Sequence, residues 1–190
     1  MDAIDGVEVV AFRDADEFDA WLTENWARRE GVWIMVAKKN SGVPSIGDDD
    51  MVDVGLCYGW ISGQRRARDA THYLQKYVPR RPRSLWSRVN VDKVAALTAA
   101  GRMREPGLAE VRRAQADGRW DAAYRSQRTA TVPDDLAAAL AANPGAARAF
   151  DALDRTARYR LILPVLQART ADSRRVRVHR AIGALSGDAP

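Results

Sequence analysis

Cysteine and histidine are nearly absent from this sequence. Its 190 residues contain one cysteine, Cys57, and two histidines, His72 and His179. A single cysteine cannot close an internal disulfide, and two imidazoles do not provide the spaced soft ligands of a zinc or iron site. We therefore expect a protein without an internal disulfide, a bound metal or another cofactor.

Long hydrophobic runs and nucleotide-binding motifs are also missing. No apolar stretch approaches the ~20 residues that cross a bilayer, and the first five residues include two aspartates and no basic residue, whereas a secretory signal begins with a basic segment. Neither Gly-x-x-x-x-Gly-Lys nor Gly-x-Gly-x-x-Gly occurs, so no phosphate-binding loop is predicted. These absences predict a cytoplasmic protein that has no membrane span and no nucleotide-binding fold.

Charge is present in quantity but is distributed unevenly. The net charge is +5, yet residues 1–50 hold 12 acidic and 5 basic side chains, whereas residues 51–104 hold 3 and 11. A surface with such a local excess of cations attracts anions. The alternative is that the acidic N-terminal part folds onto the basic middle part and neutralises it.

The N-terminal half shows strand and helix patterns in alternation. Strands are predicted over residues 7–12 and 32–37, because both are rich in β-forming residues. Between them, Asp14 is typical of a helix N-cap, with Glu17 completing a capping box. That helix would turn one apolar stripe toward the core, formed by Phe18, Trp21, Leu22 and Trp26.

The next elements follow a loop over residues 39–49. A second helix is predicted to begin within Asp48–Asp50, whose carboxylates suit the positive helix end, and to carry Cys57 inward. Paired strands over 60–63 and 71–78 follow, joined by a charged turn at Arg65–Asp69.

The C-terminal half has helical periodicity throughout. Helices are predicted over 91–100, 106–116, 118–125, 133–142, 145–152, 154–168 and 172–186. The pattern predicts an α+β fold, with a small mixed sheet in the N-terminal half followed by a helical C-terminal half. The length favours one domain over residues 1–190, and a boundary near Thr129 would make residues 130–190 a helical subdomain.

Residues able to act as nucleophiles give weak signals. Cys57 follows an apolar helix face, where a lone cysteine is usually an inert, buried side chain. Ser62, Asp69 and His72 contain the three residue types of a catalytic triad, but their spacing matches no nucleophile-elbow signature.

The most informative stretch covers residues 60–88. It contains eight cationic residues and a single anionic residue, Asp69. The cationic residues are interspersed with the aromatic residues Trp60, Tyr73, Tyr77 and Trp86. Guanidinium groups form paired hydrogen bonds with phosphate or carboxylate, and aromatic rings offer stacking surfaces. The Pro82 ring stiffens the chain around the arginines. The cations of this stretch are Arg65, Arg66, Arg68, Lys76, Arg80, Arg81, Arg83 and Arg88.

Two interpretations of that stretch stay open. In the first it is a binding site for an anionic or aromatic ligand, formed by Trp60, Gln64, Tyr73, Arg80, Arg81, Arg83 and Trp86. In the second, the aromatic residues fill the core and the arginines either cap the helices that follow or pair with the acidic N-terminal part.

Several long motifs in this sequence resemble the YdeI/OmpD-associated family, also called bacteriocin-protection proteins. The resemblance includes the motifs at 56–64, 73–90, 101–103, 116–124 and 132–136, and ends at Ala168-Arg169 and Ser173-Arg174. Ser62 stands where the family usually has an acidic residue. Arg169 and Ser173 stand where it has lysine and threonine.

The resemblance implies a role in tolerance of antimicrobial peptides or stress, without an established reaction. Our leading hypothesis is a non-enzymatic binding protein for a small anionic or aromatic ligand. The first alternative is a nucleic-acid-binding protein that adds Arg174, Arg175, Arg177 and Arg180 to the same basic patch. The second is an enzyme of unrecognised class with a pocket beside Cys57, Gln64 and His72.

Overall fold

A computed structural model describes residues 2–125, 130–168 and 170–187. A five-stranded mixed sheet in the N-terminal half is followed by helices in the C-terminal half, which confirms the predicted α+β class. The strands are β1 (Ala3–Ile4), β2 (Val7–Ala11), β3 (Val32–Ala37), β4 (Trp60–Ala67) and β5 (His72–Pro79). The helices are α1 (Ala15–Asn25), α2 (Asp48–Cys57), α3 (Arg88–Ala99), α4 (Glu105–Ala116), α5 (Asp134–Ala141), α6 (Pro144–Ala152), α7 (Arg155–Leu166) and α8 (Ala171–Ser186).

The sheet has the strand order β1-β2-β3-β5-β4, with β2 and β3 parallel and the other pairs antiparallel. Val32 of β3 lies opposite Tyr77, and Trp33 lies opposite Lys76. Because successive strand residues point to opposite faces, this register assigns Tyr77 and Trp33 to different faces of the sheet.

The two faces are covered differently. On the Tyr77 face, Phe18 of α1 is completely buried and its ring centroid lies 5.7 Å from that of Tyr77. On the other face, Trp33 is buried beside Val7 and Leu74. The guanidinium of Arg66 and the amine of Lys76 lie 4.9 and 5.5 Å from the Trp33 ring, so cation–π contacts cover this indole.

Helix α1 begins as predicted and ends earlier than predicted. Asp14 caps it, since its side chain accepts a hydrogen bond of 3.0 Å from the Glu17 N–H, and Glu17 accepts one of 2.8 Å from the Arg13 N–H. The helix ends at Asn25, so Trp26 is the C-cap residue and is 47% exposed. The prediction that Trp26 faces the core was therefore wrong.

Two other expectations need correction. Residues 118–125 form turns instead of a helix, because the chain folds back after α4: the Trp120 N–H donates to the Ala114 carbonyl oxygen, and Gly118 adopts a φ of +76°. Strand β4 continues to Ala67, so the hairpin turn lies at residues 68–71.

The chain divides into two compact units. The first comprises Met1–Ser84 and Asn90–Trp120, and the second comprises Leu85–Val89 and Asp121–Pro190. The second unit packs its helices around Leu136, Phe150, Ile162 and Val165. Thr129, at the predicted boundary, lies outside the described residues.

Within the described residues, no helix is both long and apolar enough to cross a membrane.

Candidate functional site

The arginines near the tip of the β4–β5 hairpin are paired with aspartates from the N-terminal part of the chain. We call Arg65, Arg66 and Arg68 the hairpin arginines. The ion pairs are Arg65 with Asp48, Arg66 with Asp5 and Arg68 with Asp2, at N–O distances of 2.6, 3.1 and 2.5 Å. The hydrogen bond from Arg68 holds the pKa of Asp2 below its usual range. In this region the acidic part of the chain does neutralise the basic part.

Two of the predicted ligand-binding residues, Gln64 and Tyr73, lie beside the hairpin arginines. The Tyr73 hydroxyl donates to Asp48 Oδ1 at 3.0 Å, and the Arg65 guanidinium lies 4.4 Å from the centre of the Tyr73 ring. Gln64 is exposed and accepts a hydrogen bond of 3.4 Å from Arg66. Both side chains are therefore partners of hairpin arginines.

The two predicted stacking indoles are buried. Trp60 is 1% exposed, its Nε1–H donates to the Trp26 carbonyl oxygen at 2.9 Å, and its ring meets that of Trp21 edge-on at 6.0 Å. Trp86 is also 1% exposed and belongs to the second compact unit. Neither indole presents a ring face to solvent.

The arginines that follow β5 have a different setting. We call Arg80, Arg81 and Arg83 the loop arginines. The Arg80 N–H donates to the Gly59 carbonyl oxygen at 2.9 Å, and the Arg81 N–H donates to Ser84 Oγ at 2.9 Å. The Ser84 N–H returns a bond to the Arg81 carbonyl oxygen at 2.9 Å. Together with the Pro82 ring, these bonds fix the loop backbone.

A buried arginine holds the end of this loop. Arg119 is 2% exposed, and its Nη1 donates to the Ser84 carbonyl oxygen at 2.9 Å and to Glu110 at 2.8 Å. Its Nε donates to Asp117 at 2.7 Å. Glu110 is 3% exposed and also pairs with Arg113 at 3.0 Å. The loop is therefore anchored on an ion-pair network from α4 and the turn after it.

Beside the loop lies a cavity of about 710 Å³, which we call the cationic cavity. Five cationic side chains and one carboxylate line it, a formal excess of four positive charges. They are Arg29, Lys76, Arg80, Arg81, Arg113 and Glu30. Glu30 pairs with Arg28 at 3.3 Å, and its pKa is lowered chiefly by a hydrogen bond from its own backbone amide.

The loop arginines do not contribute equally to this cavity. Arg80 is 6% exposed at its wall, whereas Arg81 is exposed. Arg83 is exposed and does not line the cavity. Within the described residues, the guanidinium groups of Arg29 and Arg81 form no ion pair. They are therefore available to an anion from solution.

A second cavity, of about 700 Å³, adjoins the first and shares with it Arg29, Pro79, Arg80 and Arg113. We call it the apolar cavity. Its further lining is mostly apolar or aromatic. These residues are Trp26, Ala27, Tyr58, Gly59, Pro106 and Ala109, with Glu105 and Glu110.

Sequence reasoning found the loop arginines and missed their partners in this site. Trp26 and Arg29 lie just after α1, and Arg113 lies in α4. The pair Arg28-Arg29 was visible as a basic doublet in an acidic region. No periodicity indicates, however, that this doublet and the α4 residues meet beside Pro79.

The residues with nucleophile or triad chemistry do not come together. Cys57 is 1% exposed, and burial raises the pKa of its thiol. Asp69 and His72 meet in the hairpin turn, with the carboxylate 3.4 Å from His72 Nδ1. Ser62 pairs instead with Tyr77, five positions along β5 from His72.

The arginines of α8 belong to the second unit, and most of them have partners there. Arg174 binds Asp135 through two nitrogens at 2.5 and 2.9 Å, and Arg177 Nη1 donates to the Pro164 carbonyl oxygen at 2.6 Å. Arg175 is exposed and pairs with Asp172 at 3.1 Å, and Arg180 is exposed. Arg169, which the family resemblance singled out, lies outside the described residues.

No three His, Cys, Asp or Glu side chains cluster to hold a metal ion in the part of the chain that the structure describes.

Two family models match the chain. Residues 10–110 match a domain of unknown function, DUF8412. Residues 129–187 match the family described as Bacteriocin-protection, YdeI or OmpD-Associated, which confirms the resemblance over that part of the chain. The motifs at 56–90 lie in the other matched region. Neither a curated protein nor a solved structure matches the chain.

Proposed function

We propose that this chain, which belongs to the family described as a domain of unknown function (DUF8412), is a non-enzymatic binding protein for a small anionic ligand. The match of residues 129–187 is consistent with an association with bacteriocin protection. In this proposal, ligand binding contributes to tolerance of antimicrobial peptides.

One observation carries the proposal: the cationic cavity holds five cations against one carboxylate, and two of these cations, Arg80 and Arg81, lie on a loop whose backbone is already fixed. Preorganised guanidinium groups lose little conformational entropy when they bind a carboxylate or phosphate. Arg29 and Arg81 are exposed within this excess of positive charge. We therefore assign the anion to Arg29 and Arg81, with Arg80 and Arg113 adding charge at the wall.

This proposal keeps part of the predicted ligand-binding set. Arg80 and Arg81 stay in it, whereas Arg83 lies outside the cavity lining. Trp60 and Trp86 are buried, so we assign contact with the rest of the ligand to the exposed Trp26 instead. Tyr73 and Gln64 are partners of the hairpin arginines and are not part of the proposed site.

The test uses inorganic pyrophosphate as the probe in isothermal titration calorimetry. Replacing Arg81 by alanine removes a charge-assisted hydrogen bond, which contributes about 1.5–3 kcal/mol, so the affinity should fall at least tenfold. Arg83→Ala is the matched control, since this exposed arginine of the same loop does not line the cavity. The proposal is wrong if pyrophosphate does not bind, or if both variants lose affinity equally.

Nucleic acid is the second candidate ligand, because α8 also exposes Arg175 and Arg180. A polynucleotide releases counterions on binding, so its affinity should fall steeply and linearly on a plot of log K against log salt. A single-stranded oligonucleotide titrated at several salt concentrations tests this candidate. Weak binding that Arg175→Ala and Arg180→Ala leave unchanged would argue against it.

A further inference from the structure

Trp26 is a large aromatic side chain that remains exposed beside other apolar surface. Its backbone is fixed, because its carbonyl oxygen accepts the hydrogen bond from Trp60 Nε1 at 2.9 Å. Its side chain is 47% exposed and lines the apolar cavity with Tyr58, Pro106 and Ala109. Apolar surface of this kind in a concave site usually contacts a ligand or partner.

The two carboxylates that line the apolar cavity are compensated by internal ion pairs. The buried carboxylate of Glu110 pairs with Arg119 at 2.8 Å and with Arg113 at 3.0 Å. Glu105, which is exposed, pairs with Arg112. The acidic groups of this cavity therefore have cationic partners, and the part of its lining away from the shared arginines, formed by Trp26, Pro106 and Ala109, favours an apolar group.

The two cavities differ in chemistry and are adjacent. They share Arg29, Pro79, Arg80 and Arg113, so a single molecule that extends past Pro79 reaches both. One end of that molecule meets the exposed guanidinium of Arg81, and the other meets the indole of Trp26. A small inorganic anion bound in the cationic cavity would not contact the apolar lining of the second cavity.

We infer that the ligand is an amphipathic organic anion, with a carboxylate or phosphate in the cationic cavity and an apolar chain or ring in the apolar cavity. This inference rests on the proposed function and adds the class of ligand. The fixed loop selects the charged end, and Trp26 with Pro106 and Ala109 selects the apolar end.

The experiment compares two phosphate monoesters with the same head group, ethyl phosphate and octyl phosphate, the latter below its micellar concentration. Burial of about three additional methylene groups, at ~0.8 kcal/mol each, should make octyl phosphate bind tenfold tighter or more. Trp26→Ala should remove most of this preference and leave ethyl phosphate unaffected. Val43→Ala alters an exposed apolar residue outside both cavities and should change neither affinity.

The outcomes separate this inference from the proposed function. Equal binding of both esters, lost in Arg81→Ala, would overturn the amphipathic ligand and leave an anion site. Failure of both esters to bind would overturn both. A chain-length preference that survives in Trp26→Ala, with urea unfolding showing an intact fold, would also overturn the inference.

Two further measurements test which charged head group the site accepts and how much the apolar chain of the ligand contributes to affinity. Octanoate in place of octyl phosphate should bind in an Arg81-dependent way if the site accepts any amphipathic anion. Octanol, which has the tail without the charge, should bind at least tenfold more weakly than octyl phosphate. Octanol binding as tight as that of octyl phosphate would contradict the assignment of Arg81 to the charged end.

Discussion

The hairpin arginines and the loop arginines come from one stretch of sequence and meet different surroundings. Arg65, Arg66 and Arg68 each have an aspartate partner within 3.1 Å. Arg81, in the loop that follows β5, lines a cavity where five cations accompany one carboxylate. Similar local composition therefore gives a neutralised surface in one place and an anion-attracting surface in the other.

The two sets differ in charge surroundings because different residues, distant in sequence, lie next to them in the fold. Strand β1 and the start of α2 bring Asp2, Asp5 and Asp48 to the hairpin. Beside the loop, α4 and the segment after α1 bring more cations, Arg113 and Arg29, and the nearby Glu110 is already paired with Arg119. A count of charges along the sequence cannot distinguish these two cases.

The largest expected effect concerns the support beneath the loop. Arg119→Met removes the buried partner of Glu110, and breaking a buried ion pair in this way costs about 3–5 kcal/mol. The free energy of unfolding, measured by urea denaturation, should fall by that amount. Arg112→Ala is the control, since its exposed pair with Glu105 should contribute below about 1 kcal/mol. A small effect of Arg119→Met would mean that the loop is not anchored as described.

A second prediction compares one arginine from each set directly. Arg65 donates to Gln75, which is 4% exposed, at 2.8 Å, so Arg65→Ala should destabilise the fold by about 1–2 kcal/mol. Arg81→Ala removes an exposed guanidinium without an ion pair among the described residues, so stability should change by less than about 0.5 kcal/mol. Thermal unfolding of both variants checks the difference. Equal destabilisation would remove the distinction between the two sets.

A third prediction concerns acid. Hydrogen bonds from Thr71 and His72 lower the pKa of Asp69 to about 2. A group whose pKa is depressed on folding contributes stability above its unfolded pKa, near 3.8, and that contribution is lost as pH falls through about 2. The melting temperature should therefore fall between pH 4 and pH 2, and less steeply in Asp69→Asn. Identical pH profiles would contradict the assignment.

The smallest effect is expected for the surface pair of Arg66 and Asp5. A double-mutant cycle with Arg66→Ala and Asp5→Asn should give a coupling energy below about 1 kcal/mol, because exposed pairs are screened by solvent. Added salt should reduce this coupling further. A coupling that is large and independent of salt would indicate that the hairpin pairs are structural elements of the fold.

Much of the fold was predictable because local patterns determine it. Val32–Ala37 is a continuous run of apolar residues, and Asp14 with Glu17 marks the start of α1. The prediction failed at residues 118–125, where the Asp117–Arg119 ion pair stabilises a turn despite suitable helix composition. It failed again at Trp26, because α1 ends one residue before it.

The site was predictable only in part. The density of cations and the proline after Arg81 drew attention to the loop, and the binding role assigned to it stays a prediction. The buried positions of Trp60 and Trp86 depend on packing that composition does not show. The contributions of Trp26, Arg29 and Arg113 depend on how α1 and α4 meet near the end of β5, which no local pattern specifies.

The most direct test of the contrast between the two arginine sets is a titration of arginine side-chain Nε–H resonances with pyrophosphate by NMR. We predict that the signals of Arg29 and Arg81 shift in a saturable way, while those of Arg66 and Arg68 stay within the change produced by an equal ionic strength of sodium chloride. Saturable shifts of the hairpin arginines, with Arg29 and Arg81 unchanged, would contradict the account.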